Sequence, residues 1–342
     1  MGEVMRKIKL SLAGIKVEFV DREQALRRVE YWAERGMSVV HVVYGPEGCG
    51  KTAWLKQSVE LLRELGFDVV YVNPLDKEQL VEVGITDLKR RFLEVVRQAM
   101  AENALARIAW SAYELVHDLI KAGRKKVAIL ADDVFQVIGV RESAMYVKAL
   151  LNLIEYPPAE YERVITVAAT SEGMSRREIG RHRWADLDAM WNMSKEGFRQ
   201  LYEQLPGSKP DFDEVWRLTG GNPKLLGRLY EFNWNVDSLI RRVQDERRIP
   251  EFVTSLSSRE RELLREALEN PDSLVSREGL PLLDKLVELN VVVDAIPVRD
   301  PEFWIDKPPP GKDPELGIGT RVAWQTPLHR EAVRKALESV SK

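Results

Sequence analysis

The sequence predicts an α/β core with a parallel β-sheet, followed by a smaller helical part and a C-terminal part that combines helices with a β-hairpin. Apolar, β-branched runs at 38–44, 127–131 and 163–170 have the length of buried parallel strands. Long amphipathic stretches separate them, as helical crossovers between parallel strands require. The chain of 342 residues is also longer than one hydrophobic core normally supports, about 250 to 300 residues.

The composition is typical of a globular protein, with 44% hydrophobic and 31% charged residues. No apolar run approaches the ~18 residues needed to cross a bilayer, and charged residues interrupt the N-terminal segment. The single cysteine, Cys49, permits no internal disulfide. We therefore expect a cytoplasmic protein without membrane contact. The net charge of −3 does not favour nucleic-acid binding by the chain as a whole.

The first strand leads into the loop GPEGCGKT, and a helical pattern that stops at Gly66 follows the loop. This order is the context of a phosphate-binding loop (P-loop), because glycines let backbone N–H groups approach phosphate oxygens and the helix N-terminus adds a partial positive charge. Lys51 is expected to bridge the β- and γ-phosphates of ATP, and the Thr52 hydroxyl to bind Mg²⁺. The residues of this loop predicted to bind nucleotide are Gly45, Pro46, Glu47, Gly48, Cys49, Gly50, Lys51 and Thr52.

The second strand ends in two aspartates and looks like a Walker B motif. Asp132 is predicted to hold Mg²⁺ through water, and Asp133 to polarise the attacking water. The alternative is that the two side chains only cap the next helix. Since the second position more often holds glutamate, which is longer by one methylene, we expect slow ATP hydrolysis.

The third strand ends at Thr170 and Ser171. In P-loop enzymes of the additional-strand type, a polar residue here lies between the acidic and phosphate sites, so Ser171 is predicted to sense the γ-phosphate. The alternative is an ordinary Ser/Thr turn.

Four arginines follow in the run SRREIGRHRW. Arginine can neutralise charge on a transferring phosphoryl group, either in its own chain or in a neighbouring subunit. Arg181 is the candidate for this role, although most arginines in such runs lie on solvated helix faces. An oligomer is therefore left open.

Taken together, these motifs resemble the archaeal ATPase family, which is related to the signal-transduction ATPases and the AAA+ proteins. The resemblance covers about residues 15 to 240 and departs from the family pattern at Asp133, where the family has glutamate. The matching segments are FVDREQAL (19–26), GPEGCGKT, ADDVFQ, ATSEG, the Gly180–Arg181 turn and LTGGNPKLLGRLYE (218–231).

The resemblance implies a P-loop core of the additional-strand type at 1–193, a helical lid at 194–250 and a winged-helix domain at 251–342. It implies that the segment around Arg22 passes near the adenine. It also implies that Pro223, at the start of a lid helix, lies beside the base. ATP or ADP with Mg²⁺ are the cofactors it predicts.

In the C-terminal part, NVVVDAIPV (290–298) and TRVAWQTP (320–327) flank a Pro/Gly-rich excursion and predict a hairpin wing. Winged helices often bind DNA through a helix in the major groove. Residues 256–342, however, hold 13 Lys/Arg and 16 Asp/Glu, a balance of −3, and the candidate reading helix offers only Lys285. Since DNA affinity depends on phosphate neutralisation, a role in protein contact or in packing against the lid is at least as well supported as DNA binding.

Three functions remain open at this stage: an ATP-hydrolysing molecular switch, a nucleotide-gated interaction module with little turnover, and a DNA-associated ATPase. A GTPase is disfavoured because no Asn-Lys-x-Asp motif occurs. Nothing in the sequence marks the acceptor pocket of a small-molecule kinase.

Overall fold

The computed structural model describes residues 6–76, 81–83, 86–102 and 104–340, with side chains except at 81–83 and 86–91. The first residue of the predicted P-loop core, residue 1, and the last residue of the predicted winged-helix domain, residue 342, lie outside the described residues. The strands are β1 Lys9–Leu12, β2 Ile15–Glu18, β3 Val40–Tyr44, β4 Asp68–Val72, β5 Val81–Val83, β6 Lys126–Asp132, β7 Arg163–Thr170, β8 Ala185–Ala189, β9 Val292–Val293 and β10 Ala323–Trp324.

The helices of the same described residues alternate with the strands up to β8 and dominate afterwards. They are α1 Glu23–Arg35, α2 Lys51–Glu64, α3 Thr86–Ala101, α4 Ala106–Lys121, α5 Val134–Ile138, α6 Val140–Glu155, α7 Gly173–Ile179, α8 Lys195–Glu203, α9 Phe212–Thr219, α10 Pro223–Glu231, α11 Val236–Glu246, α12 Ile249–Ser255, α13 Ser258–Glu269, α14 Leu280–Glu288 and α15 Pro327–Val340. Short 3₁₀ helices lie at Pro271–Val275 and Pro301–Phe303.

The main sheet has the strand order β5-β4-β6-β7-β3-β8. Strand β4 pairs parallel with β6, β6 with β7 and β7 with β3, whereas β5 pairs antiparallel with β4. Strand β7 therefore separates β3, which precedes the P-loop, from β6, which ends in Asp132. This inserted strand defines the additional-strand type of P-loop core, and it confirms the predicted fold class.

The predicted strands agree closely with the observed ones. The run 38–44 forms a strand from Val40, the run 127–131 extends by one residue at each end, and 163–170 is a strand throughout. Their side chains are almost all buried, because helices pack on the sheet and leave the parallel strands little contact with water. The extension of β6 to Asp132 places this carboxylate on the strand end itself.

The backbone packs into two compact units. The first comprises residues up to Ile8, Arg22–Tyr44 and Lys51–Asp188, and the second comprises Lys9–Asp21, Gly45–Gly50 and Ala189–Lys342. In the first unit, α4 packs on β4 and β6 and α6 packs on β7 and β3, with Ile120, Leu150 and Ile129 fully buried.

In the second unit, the lid helices and the winged-helix elements share one hydrophobic core. Phe198, Leu226 and Ile240 from the lid belong to the same buried cluster as Leu286 and Trp324 from the C-terminal part. The boundary predicted at residue 250 is thus not a break in the core, and the division into separate lid and winged-helix domains stays a prediction.

The winged-helix part contains α13, α14, the wing strands β9 and β10, and α15. Strand β10 pairs antiparallel with β9, as a wing requires, but each strand has only two residues. The longer strands predicted at 290–298 and 320–327 do not form. The backbone leaves the extended region soon after β9, because Ala295 has a left-handed φ of 49° and Pro297 has no N–H to donate to a partner strand.

Candidate nucleotide-binding site

Asp132 is the most strongly constrained acidic side chain of the predicted site. It is 1% exposed at the end of β6. The Tyr71 hydroxyl donates to its Oδ2 at 3.0 Å, and the Asn73 amide donates to the same oxygen at 2.9 Å. The Thr52 side chain is also hydrogen-bonded to Asp132. The Walker B carboxylate therefore meets the predicted magnesium ligand Thr52 at the start of α2.

The ionisation of Asp132 reflects opposing effects. Burial raises its pKa above the usual value, while the hydrogen bonds from Thr52, Tyr71 and Asn73 and the nearby charge of Lys51 act to lower it. A bound divalent cation would be the largest local charge and would favour the carboxylate form. Hydrogen bonds to Asp132 also raise the pKa of Tyr71, beyond the effect of its own burial, so this hydroxyl stays a donor.

Asp133 has different neighbours. It precedes α5 in a left-handed backbone conformation, with φ of 50°, which aspartate tolerates better than most residues. Its side chain makes no helix-capping hydrogen bond, and its Oδ1 lies 3.4 Å from the Gln136 amide nitrogen. Neither aspartate acts as a side-chain cap of α5, so the alternative of simple helix capping is not what the two side chains do.

The P-loop residue Glu47 makes an unexpected set of polar contacts. Its carboxylate accepts hydrogen bonds from Lys224 at 2.6 Å, from Asn290 at 3.0 Å and from Arg247. Its backbone N–H donates to the Gln325 side chain at 2.8 Å. This loop side chain thus binds residues of the lid and of the winged-helix part.

Burial of Glu47 opposes its ionisation, but the charges and hydrogen bonds of Lys224 and Arg247 outweigh burial and lower the pKa of Glu47 to about 2. Glu47 is consequently a carboxylate at any physiological pH. The ion pairs that it makes do not respond to moderate changes of pH.

Steric constraints explain why position 48 of the loop is a glycine. Its φ is +74°, and a Cβ atom there would lie 2.3 Å from the Cβ of Lys224. Only glycine fits this backbone next to the first turn of α10. Cys49, next along the loop, is buried, with its Sγ 3.7 Å from the Met190 carbonyl oxygen.

The lid helix α10 starts as expected. Asn222 is its N-cap and accepts a hydrogen bond from the Leu225 N–H at 3.1 Å, and Pro223 occupies the first turn. Pro223 is half-buried, whereas Arg22, before α1, is 3% exposed with φ of 72°. The contacts of both residues with a base stay a prediction.

At the end of β7, the hydroxyl of Thr170 accepts a hydrogen bond from the Glu172 N–H at 3.1 Å. The Ser/Thr turn considered above therefore describes Thr170. Ser171 is half-buried, and its role as a γ-phosphate sensor stays a prediction.

The arginines differ strongly in environment. The Arg181 side chain is 72% exposed and pairs with Glu178 at 2.7 Å, which places it on a solvated face. Arg176 is 6% exposed, and its guanidinium lies 4.9 Å from the ring centre of Tyr44, the last residue before the P-loop. The catalytic role predicted for Arg181 stays a prediction.

Residues that could hold Mg²⁺ are a carboxylate, Asp132, and a hydroxyl, Thr52, both hard oxygen donors of the kind that this ion prefers. Among the described residues, no group of three or more His, Cys, Asp or Glu side chains could form a metal site alone. The donor set therefore fits an ion that takes its other ligands from water and nucleotide phosphates.

Sequence reasoning missed Tyr71 and Asn73, the two donors to Asp132. A signal was present, because the run DVVYVN at 68–73 is an apolar strand that ends in a polar residue. The carboxyl ends of parallel strands meet at one edge of a sheet, and this is where α/β proteins place ligand sites.

The inserted strand, the P-loop and the buried Asp132 define a P-loop NTPase of the additional-strand class. The model of a family described as ATPase domains predominantly from Archaea matches residues 19–229, which is more than half of the chain. The chain belongs to this family. It is an archaeal-type P-loop ATPase domain joined to further C-terminal elements.

Three solved structures are similar to the chain. A Walker-type ATPase of Pyrococcus abyssi has 15% sequence identity, with 92% of this chain and 96% of that chain covered, at a TM-score of 0.50. AMPPCP-bound DnaA from Aquifex aeolicus has 15% identity over 94% of this chain and 89% of its own, at a TM-score of 0.40. Cdc6p from Pyrobaculum aerophilum has 13% identity over 94% and 95%, at a TM-score of 0.38.

No curated protein sequence matches the chain. Across the described residues, none of the helices has the length and apolar character that a membrane span requires.

Proposed function

We propose that the protein binds ATP with Mg²⁺ and hydrolyses it slowly, and that the bound nucleotide acts as a molecular switch for the lid and winged-helix parts. The observation that carries this proposal is the buried Asp132 carboxylate, hydrogen-bonded to Thr52 next to the P-loop lysine Lys51. Titratable groups whose pKa is shifted by burial and by specific charged partners cluster at functional sites, and Asp132 meets both conditions.

Each residue would have a distinct task. The backbone of the loop and Lys51 would hold the phosphates, and Thr52 and Asp132 would bind Mg²⁺, directly and through water respectively. Bound Mg²⁺ supplies neutralisation of phosphate charge. Tyr71 and Asn73 donate to Asp132 and keep its other oxygen oriented. Asp133 would orient the attacking water, and its contact with Gln136 restrains its side chain.

The magnesium assignment is tested by a pair of variants at one position. Thr52→Ala removes the hydroxyl, whereas Thr52→Ser keeps it. Titration with a fluorescent ADP, with and without Mg²⁺, should show that Thr52→Ala loses the magnesium-dependent gain in affinity and that Thr52→Ser retains it. Equal behaviour of the two variants would remove Thr52 from the metal site.

Hydrolysis is tested by phosphate release from ATP. Lys51→Ala and Asp133→Asn should abolish the slow turnover, whereas Lys121→Ala, at an exposed position in the last turn of α4, should leave it unchanged. If Asp133→Asn turns over at the rate of the wild type, Asp133 is not the residue that activates water. Tight nucleotide binding by a wild type with no turnover would favour the nucleotide-gated interaction module instead.

A protein partner is favoured over DNA for the winged-helix part. Lys285, the only basic residue of α14, donates to Glu260 at 2.7 Å and is therefore already paired. The acidic balance of residues 256–342 further opposes binding to phosphates. The DNA-associated alternative predicts duplex binding that weakens with salt and is lost in Lys285→Ala; absence of binding at low salt removes it.

A further inference from the structure

The backbone groups of two consecutive P-loop residues, Glu47 and Gly48, make hydrogen bonds with residues from the C-terminal part of the chain. The Glu47 carbonyl accepts a hydrogen bond from the Asn222 side chain at 2.8 Å, and the Gly48 carbonyl accepts one from the Lys224 N–H at 3.3 Å. The Glu47 N–H is bound by Gln325. The conformation of this part of the loop is therefore set by residues about 175 to 278 positions later in the chain.

The C-terminal partners are also bound to one another. The Asn192 side chain donates to the Gln325 carbonyl at 3.2 Å and accepts from the Asn222 amide at 2.8 Å. Together with the bonds to Glu47, these contacts close a ring through Glu47, Gln325, Asn192 and Asn222. Asn290 extends the ring, since it donates to Glu47 and accepts from the Gln325 amide at 2.7 Å. We call these five residues the loop ring.

Most of the loop ring is buried. Gln325 is 2% exposed, Asn222 1% and Asn192 5%. Leaving a buried amide without its hydrogen-bond partner is unfavourable, so these residues strongly disfavour movement of one member without the others. The ion pairs of Glu47 are weaker restraints, because the Lys224 side chain is 57% exposed and that of Arg247 is 28% exposed.

We propose that Glu47 and Gln325 are positioning residues, through which the winged-helix part holds the P-loop in its nucleotide-binding conformation and so sets how long a nucleotide stays bound. The inference rests on the proposed function, because it requires that the loop binds nucleotide. Phosphate binding by backbone N–H groups requires a fixed loop, and the loop ring fixes it from the C-terminal side. By linkage, a bound nucleotide must also stabilise the C-terminal arrangement by the same factor.

The test compares two substitutions of the same kind. Gln325→Met keeps the size of the side chain but removes its hydrogen bonds to Glu47 and Asn290. Gln244→Met, the matched control, also removes a side-chain hydrogen bond within the second unit, from Gln244 to the Ala332 carbonyl at 2.8 Å, but one that does not involve the loop. Glu47→Gln keeps the shape of the loop residue and removes its charge.

The measurement is the dissociation rate of a fluorescent ADP with Mg²⁺, chased with unlabelled ADP. Gln325→Met and Glu47→Gln should release the nucleotide at least about fivefold faster than the wild type, at the lower end of typical coupling between sites. Gln244→Met should stay within about twofold of the wild type. Amide hydrogen exchange measures the converse effect, that of the nucleotide on the C-terminal part. ADP should slow exchange in the segment 320–340 of the wild type, and this effect should be lost in Gln325→Met.

The outcomes separate the two proposals. If the wild type binds no nucleotide, the proposed function fails, and the inference fails with it. If the wild type binds but Gln325→Met releases ADP no faster than Gln244→Met, the inference alone is overturned. Should Gln325→Met fail to fold, Glu47→Gln decides by the same criterion, and an unchanged rate or unchanged protection of 320–340 overturns the inference.

Discussion

Replacement of His329 by asparagine should reduce the loss of stability in mild acid by roughly 2 kcal/mol. His329 lies in the first turn of α15 and is 7% exposed, with its Nδ1 2.8 Å from the Thr326 hydroxyl. Burial, together with the charges of Arg247 and Lys224, lowers the pKa of His329 to about 4, against the opposing charge of Glu47. The folded protein therefore resists protonation of this ring, whereas the unfolded chain does not.

The sign and size follow from proton linkage. Between the folded pKa of about 4 and the ordinary value of 6.5, the unfolded state binds more protons, so stability falls as the pH falls through this window. At about pH 5 the difference amounts to roughly 2 kcal/mol, given about 1.4 kcal/mol for each unit of pKa shift. The ion pairs of Glu47 add little at pH 5 and above, because its pKa of about 2 and the usual value of 4.5 both lie below pH 5.

The assay is urea unfolding of the wild type and His329→Asn at about pH 7.5 and pH 5, with the free energy of unfolding extrapolated to water. The wild type should lose roughly 2 kcal/mol more than the variant between the two pH values. All other residues are identical in the two proteins, so the difference reports on His329. Equal losses in the two proteins would refute the argument that burial keeps this ring neutral.

Three further predictions concern single side chains. Tyr71→Phe removes a donor to the buried Asp132 and should lower the free energy of unfolding by about 1 to 3 kcal/mol, measured by urea titration. Asn222→Ala removes the N-cap of α10 and should cost about 1 to 2 kcal/mol, with its effect on α10 visible as faster amide exchange at Leu225. Asp272→Asn should cost about 1 kcal/mol by thermal unfolding, because the carboxylate accepts three backbone N–H groups from residues 320–322.

Each of these has an outcome that contradicts it. A Tyr71→Phe protein as stable as the wild type would mean that the hydroxyl does not satisfy Asp132. Unchanged exchange at Leu225 in Asn222→Ala would show that α10 does not depend on its cap. An Asp272→Asn protein that unfolds at the wild-type temperature would show that the segment 320–322 needs no anchor.

The core of the site could be predicted from the sequence because the motifs that define it are contiguous in the chain. A β-branched strand, a glycine loop and an amphipathic helix follow one another directly, and the paired aspartates end a strand of the same kind. The order of strands in the sheet could be predicted only from the resemblance to the archaeal ATPase family. Nothing in the local pattern of β7 states that it pairs with β3 on one side and β6 on the other.

The hydrogen-bond partners of Glu47 could not be predicted from the sequence, because they are far from it in the chain. Glu47 contacts Lys224, Arg247 and Asn290 at separations of 177, 200 and 243 residues. Each of these residue types is common on protein surfaces, and no periodicity links them to the loop. The wing was predicted too long because the sequence does not mark Ala295 as a residue with a left-handed backbone, which alanine rarely adopts.

The chemistry of the loop ring bears on the kind of control that it exerts. Its members other than Glu47 are neutral amides, which both donate and accept hydrogen bonds, so one partner can be exchanged for another without leaving a buried charge unpaired. The two cations that bind Glu47 lie at its more exposed side, where water can replace them at small cost. A loop held in this way is well positioned but not locked. Such restraints suit a site whose surroundings rearrange when the nucleotide changes, and a buried salt bridge in the place of Gln325 would instead fix one arrangement.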